Sequence, residues 1–186
     1  MSDAQRVKVK AKISKWRDGP TDYGLVSRFL HWLTFILLLI SFGLAWTWAL
    51  PGRGPLQNTM VETHRSVGIV ILLLTIIRLL RHFGGRPATL SEFSTSLRIF
   101  ARSVQAIMLT LLLLIPLVGW AYTNAGGFDV AIFRFILPHL VSKDSYFVEL
   151  LAQMHELLAY AFLAILSLHI AGAVRHWAQG AAASKG

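Results

Sequence analysis

The stretch from Met154 to His169, MHELLAYAFLAILSLH, organises the fold, because it places two histidines at the ends of an otherwise apolar helical segment. At about 1.5 Å per residue, the fourteen positions from His155 to His169 rise roughly 21 Å, a large share of a hydrocarbon core about 30 Å thick. Fourteen residues make nearly four whole turns, so both imidazoles face the same side of the helix. Polar side chains inside a membrane are costly and normally face a protein interior or a cofactor.

The composition of the whole chain indicates an integral membrane protein. Of the 186 residues, 55% are hydrophobic and 15% are charged, and the mean hydropathy is +0.57, which is too apolar for an ordinary soluble domain. The first apolar segment lacks an obvious cleavage site and is longer than the hydrophobic part of a signal peptide, so we interpret it as a membrane helix. We therefore predict an all-α fold, an integral membrane four-helix bundle, with apolar helices at Leu25 to Trp48, Val61 to Leu80, Val104 to Tyr122 and Val148 to about Trp177.

The distribution of charge predicts the topology. The formal net charge is +9. With four spans, fourteen of the eighteen Lys and Arg residues lie on the side that holds both termini and the middle loop, so the positive-inside rule places both termini in the cytoplasm. The basic excess is then a topology signal with anionic lipid as its partner, and we expect no nucleic acid. We expect three regions: a basic cytoplasmic tail at 1–22, a membrane domain at 23–177 and a short cytoplasmic tail at 178–186.

Two shorter features lead to further expectations. The outer loop that begins at Gly126 and Gly127 is roughly 20 residues long and aromatic, so we expect a short interfacial helix in it. Pro116 is expected to kink the third helix. Gly68 follows His64 by one turn on the same face. It either lets a flat macrocycle approach the backbone or serves helix packing, and the two interpretations stay open.

The remaining membrane histidines pair by depth. His31 lies early in the first span from the cytoplasmic side, where His169 also lies, whereas His64 and His155 both lie near the outer side. Bis-imidazole ligation suits a six-coordinate haem iron in an apolar slot between helices, so we predict two b-type haems, one at each level. The chain has no cysteine, which excludes thiolate ligation, Cys-held iron–sulfur clusters and Cys-type zinc sites.

Two other kinds of site are weaker alternatives. A zinc site needs four ligands that converge on one point, whereas these histidines form two pairs separated in depth. A proton relay or ion channel would predict carboxylates inside the membrane, yet Glu62, Glu149 and Glu156 all lie near the outer ends of spans.

From Tyr23 to Trp177 the chain resembles the bacterial cytochrome b561 family of four-helix, di-haem membrane proteins. The resemblance rests on motifs in all four spans: Tyr23-Gly24 and His31-Trp32, then His64-Arg65-Ser66-Val67-Gly68 with Arg78, then Pro116-Leu117-Val118-Gly119-Trp120, and finally His155-Glu156, His169 and His176. The resemblance implies that His31, His64, His155 and His169 are the axial ligands. It also implies electron exchange with ubiquinone in the bacterial inner membrane, and some members have a histidine near the start of the third helix where this chain has Gln105.

The resemblance also suggests an activity, since at least one family member is a superoxide oxidase. We expect a superoxide:ubiquinone oxidoreductase in which outer-side Arg65 attracts superoxide and His176 at the inner boundary donates a proton to quinone. Arg78 and Gln105 are candidates to hydrogen-bond a quinone oxygen, whereas we interpret Arg81 as a helix-end residue that extends to the interface. The alternative is a cytochrome b subunit that relays electrons from a partner dehydrogenase to quinone. The oligomeric state is not predicted.

Overall fold

The computed structural model describes residues 16, 18, 23–47, 54–83, 94–132 and 134–183. Most of the predicted basic tail and the last three residues lie outside these ranges. The elements are α1 (Leu25–Trp46), α2 (Pro55–Phe83), α3 (Thr95–Ala125), β1 (Ala131–Ile132), β2 (Phe135–Ile136) and α4 (Ser145–Ala183). Each of the four helices contains a stretch long and apolar enough to cross a membrane. The predicted four-helix membrane fold is therefore confirmed.

Three of the helices extend well beyond the apolar segments of the sequence, because polar residues cap them outside the hydrophobic stretch. Pro55 occupies the first position of α2, where its missing N–H costs nothing. The Ser94 hydroxyl accepts a hydrogen bond from the Leu97 backbone N–H at the start of α3. Asp144 Oδ1 accepts the backbone N–H of Tyr146 at 2.8 Å at the start of α4. Hydropathy locates the part of each helix in the membrane, and these caps set the ends of the helix.

The chain divides into two compact units, which we describe separately. The first unit contains α1, α2 and the hairpin formed by β1 and β2. In the antiparallel hairpin Ala131 pairs with Ile136 and Ile132 pairs with Phe135. Ser66 on α2 donates its hydroxyl to the carbonyl of Ala131 at 3.0 Å, which fixes β1 to that helix.

The hairpin corrects the expectation of a short interfacial helix in the outer loop. Within the described residues, Gly127 has a φ of +82°, a conformation that turns the chain away from the helix and that glycine adopts without strain. The buried Asn124 then donates to the Phe128 carbonyl at 3.1 Å and accepts the Leu140 N–H at 2.9 Å. Residues rich in β-branched and aromatic side chains satisfy their backbone groups by pairing as strands, so the prediction of a helix was wrong.

The second unit contains α3 and α4. α3 continues through Pro116 as one helix, and the kink there stays a prediction. α4 is one unbroken helix of 39 residues from Ser145 to Ala183. His155 and His169 therefore share one rigid rod, as the sequence predicted, and the rotational argument that puts them on one face holds. The helix also continues past residue 177, where we expected the membrane domain to end.

Candidate cofactor site

In the first unit, α1 orients a histidine of α2. His64 is partly buried, and its Nδ1 lies 2.9 Å from the backbone carbonyl oxygen of Ser41 and 3.2 Å from the Ser41 hydroxyl. The imidazole can donate one N–H to that carbonyl, so Nδ1 carries the proton and Nε2 carries the lone pair. A neutral ring with its lone pair on Nε2 is the form of histidine that binds a metal ion.

In the second unit, α3 orients a histidine of α4 in the same way. His155 is also partly buried, and its Nδ1 lies 3.0 Å from the backbone carbonyl oxygen of Ile115. The same tautomer follows, with the lone pair on Nε2. Carbonyl oxygens thus orient His64 and His155, the two histidines that depth assigns to the outer level.

Gly119 on α3 makes room for the His155 ring. A Cβ atom at this position would lie 2.9 Å from Cε1 and 3.0 Å from Nδ1 of the imidazole. Ile115 and Gly119 are one turn apart, so they occupy the same face of α3. The carbonyl at 115 and the missing side chain at 119 together form a seat for the ring, which we call the His155 seat.

These surroundings pass a test for axial haem ligands. A metal-ligating histidine almost always donates its second ring nitrogen to a carbonyl, carboxylate or water, which fixes the ring and raises its basicity. Both His64 and His155 meet this condition. In neither unit do three His, Cys, Asp or Glu side chains of the described residues converge on one point, as a zinc site would require.

The other two predicted ligands lie on the first and last helices of the chain, α1 and α4. His31 is on α1, where its ring meets the edge of Trp32 at 5.8 Å between centroids with a 74° angle between the planes. His169 is on α4 and is partly buried. Each unit therefore holds two of the four histidines: one oriented by a carbonyl and one from the predicted inner level.

Gly68 differs from Gly119 in its surroundings. A Cβ atom added at Gly68 meets no heavy atom within 4 Å. Gly43, Gly54 and Gly172 are equally open, so space for a flat macrocycle and a role in helix packing both stay predictions for Gly68.

The two arginines near the inner end of α2 have different partners. Arg81 forms an ion pair with Asp18 at 3.5 Å and also donates to the Ser27 hydroxyl at 3.3 Å. Asp18 additionally accepts the Gly24 N–H at 2.8 Å, so this pair joins the start of α1 to the end of α2. The Arg81 side chain is still 32% exposed in this pair, so its extension to the interface stays a prediction. Arg78 is partly buried and interacts electrostatically with Tyr23.

The remaining predicted site residues lie at the helix ends or beside a ligand. Arg65 directly follows His64 on α2 and is partly buried, whereas His176 on α4 and Gln105 on α3 are exposed. Their roles remain proposals.

Together, four membrane-spanning helices and two histidines oriented by backbone carbonyls define a helical membrane protein suited to bind haem. The family model for prokaryotic cytochrome b561 matches residues 22–183, and the chain belongs to this family.

Two relatives extend the comparison. The chain is 26% identical over 160 residues to cytochrome b561 homolog 2 of Escherichia coli (strain K12), which covers 84% of this chain and 85% of the relative. It is 27% identical over 157 residues to the probable superoxide oxidase CybB of Yersinia pestis, which covers 83% of this chain and 88% of the relative. The protein is thus a multi-pass b-type cytochrome of the bacterial inner membrane that takes part in electron transfer, and its family implies b-type haem.

Sequence reasoning identified the histidines but missed what orients them. The Ser41 and Ile115 carbonyls left no signal, because every residue has a carbonyl. Gly119 did leave a signal, since it stands in an apolar helix within the motif Pro116 to Trp120. A glycine within a helix lowers stability relative to alanine and so calls for a reason. That reason is the His155 ring.

Proposed function

We propose that the protein is a di-haem superoxide:ubiquinone oxidoreductase, with His64 and His155 as axial ligands of the outer haem and His31 and His169 as those of the inner haem. The observation that carries the proposal is the matching pair of hydrogen bonds from Nδ1 of His64 and His155 to backbone carbonyls. The likeness to the probable superoxide oxidase of Yersinia pestis supports the choice of substrate. When bound, haem supplies reversible one-electron transfer.

The chain's own contribution at the outer level is to hold two neutral imidazoles in fixed orientations. Each Nδ1–H is committed to a carbonyl, so each ring presents Nε2 without a choice of tautomer. A hydrogen bond to Nδ1 also makes Nε2 a stronger ligand. Both rings are partly buried, and burial is one of the factors that set the reduction potential.

Superoxide is a small anion that approaches from the outer side. Arg65 lies next to His64, and two further basic residues, Arg134 and Lys143, belong to the outer loop. Positive charges of this kind raise the local concentration of an anionic substrate. Two superoxide anions each lose one electron and leave as dioxygen.

Quinone takes up those two electrons and two protons at the inner side. His176 is the proposed proton donor, because the imidazole side chain can act as a general acid. Arg78 and Gln105 are the proposed donors of hydrogen bonds to the quinone oxygens. Arg81 has no part in this proposal, because one nitrogen of its guanidinium group already contacts Asp18 and Ser27.

The test uses the purified holoprotein with a superoxide generator, a soluble ubiquinone and a haem absorbance readout. We expect superoxide to reduce the haem rapidly, and quinone to convert this single reduction into turnover. An Arg65→Gln variant should react more slowly, and the effect should fade at high ionic strength because salt screens the charge. The matched comparison is Lys143→Gln, which removes a charge of the outer loop that is not next to a predicted ligand in the sequence, and its effect should be smaller.

The alternative function is a relay of electrons from a partner dehydrogenase to quinone. Its support is the exposed apolar strand β2 of the hairpin, where Phe135 is 78% exposed and Ile136 is 66% exposed. If superoxide leaves the haem oxidised and a co-purifying protein donor reduces it, this relay would replace the superoxide proposal.

A further inference from the structure

A groove in the first unit lies on a different face of α2 from His64. Its volume is about 370 Å³, within the range of sites for small ligands. Eight residues line it, six of them on α2: Leu37, Thr59, Glu62, Thr63, Ser66, Val67, Val70 and Ile132.

The lining changes from polar to apolar with depth. Thr59, Glu62 and Thr63 are exposed and lie in the first turns of α2, toward the outer side. Val67, Val70 and Leu37 are partly buried and lie deeper. This order, polar at the membrane surface and apolar below it, matches an amphiphile whose head is at the surface and whose chain enters the bilayer.

Each hydroxyl group of the groove already donates its proton to a backbone carbonyl. Thr59 donates to the Pro55 carbonyl at 3.1 Å, and Thr63 donates to the Thr59 carbonyl at 2.7 Å. The Ser66 hydroxyl lies 3.0 Å from the carbonyl oxygens of both Glu62 and Ala131 and shares its one proton between them. A hydroxyl has one proton and two lone pairs, so these three oxygens offer only acceptors to a ligand.

The Glu62 carboxylate adds two further acceptor oxygens and a negative charge. Neither ion pair found among the described residues, Arg81 with Asp18 or His139 with Asp129, involves Glu62. A lining that only accepts hydrogen bonds repels anions and gives nothing to a carbonyl oxygen. Superoxide and the quinone head are therefore poor occupants, whereas a head group that presents a cation with several N–H donors to Glu62, and directs any phosphate of its own away from it, is a good one.

We propose that this groove binds an ethanolamine phospholipid of the outer leaflet. Its primary ammonium group has three N–H donors, which match the Glu62 carboxylate and the lone pairs of Thr59 and Thr63. Its acyl chain lies along Val67, Val70 and Leu37. The site is independent of superoxide and quinone chemistry, since it needs only the first unit in a membrane.

The test is native mass spectrometry of the purified holoprotein titrated with three lipids that share the same acyl chains. Phosphatidylethanolamine should bind about tenfold more tightly than phosphatidylcholine, whose quaternary ammonium has no N–H, and more tightly than anionic phosphatidylglycerol. Glu62→Gln should abolish this preference. Glu149→Gln, which removes an exposed carboxylate near the start of α4 outside the groove, should keep it.

A second variant protects the test against damage to the neighbouring His64. Thr63→Val keeps the shape of the side chain but removes its lone pairs, so it should weaken the ethanolamine preference while the protein retains its haem. Equal binding of the three lipids by the unchanged protein would overturn the proposal. So would an ethanolamine preference that persists in both Glu62→Gln and Thr63→Val.

Discussion

Both units orient a predicted ligand histidine with a backbone carbonyl, but they take their histidines from different helices. In each, a histidine of one helix donates Nδ1–H to a carbonyl of the other: His64 to Ser41 in the first unit and His155 to Ile115 in the second. The first unit draws its two predicted ligand histidines from two helices, His31 from α1 and His64 from α2. The second draws both from α4, and its other helix, α3, has no histidine.

This difference shows that a helix can serve a metal site through its backbone alone. α3 contributes the Ile115 carbonyl and the space at Gly119, where a Cβ would lie 2.9 Å from the imidazole. Ligand-bearing helices are found by searching for histidines, whereas a helix like α3 becomes visible only when the ring contacts are known. We therefore expect haem binding in the second unit to be sensitive to substitution of Gly119 as well as of His155, whereas in the first unit it is sensitive to substitution of His64.

The largest expected effect comes from removing a carbonyl-oriented histidine. His64→Ala or His155→Ala should each abolish the outer haem and leave the inner one, so haem content falls from two to one per chain. The pyridine haemochrome assay measures this ratio. His139→Ala, which removes an exposed loop histidine paired with Asp129, should keep both haems. Loss of both haems from a variant with an unchanged helical circular dichroism spectrum would contradict the pairing by depth.

The next effect tests the His155 seat. Gly119→Ala places a methyl group within about 3 Å of the ring, and such overpacking typically costs about 1–3 kcal/mol. The His155 ring should rotate off its carbonyl. The ferric outer haem should then change its electron paramagnetic resonance signal and be lost more readily.

The matched control for the seat is Gly172→Ala on α4, where an added Cβ meets nothing within 4 Å. This variant should keep the resonance signal of the unchanged protein. A Gly119→Ala protein with that same signal would show that the ring does not depend on the seat.

A smaller effect is expected at Gly68 in the first unit. An added Cβ meets no heavy atom there, and alanine favours a helix over glycine by roughly 0.5–1 kcal/mol. If the macrocycle lies against Gly68, Gly68→Ala should nevertheless speed the transfer of the outer haem to apomyoglobin by a few-fold, about 1 kcal/mol. Gly43→Ala on α1, also open within 4 Å, should not. Equal transfer rates would return Gly68 to a role unrelated to haem.

The sequence predicts the helices well, because hydropathy and the helical repeat act within one segment. His155 and His169 fall on one continuous helix for that reason. Contacts between segments are different. The ion pair of Arg81 with Asp18 joins residues 63 positions apart, and nothing in the local pattern around Arg81 names its partner.

The prediction for the outer loop was wrong for another reason. Ile132, Phe135 and Ile136 form a run too short for either the helical or the strand period to appear. Length and aromatic content then suggested an interfacial helix. The choice between helix and strand is made by bonds from outside the run, such as the one from Ser66 to the Ala131 carbonyl, and these are invisible until the fold exists.

The smallest expected effect asks which atom of Ser41 orients His64. The ring Nδ1 lies 2.9 Å from the carbonyl and 3.2 Å from the hydroxyl, and Ser41→Ala removes only the hydroxyl. If the carbonyl is the acceptor, haem content should stay at two and the outer haem's potential should shift by less than the equivalent of about 1 kcal/mol. Redox titration measures that shift. A loss of haem as large as that of Gly119→Ala would make the hydroxyl the partner, and the first unit would then orient its ligand through a side chain while the second uses only backbone.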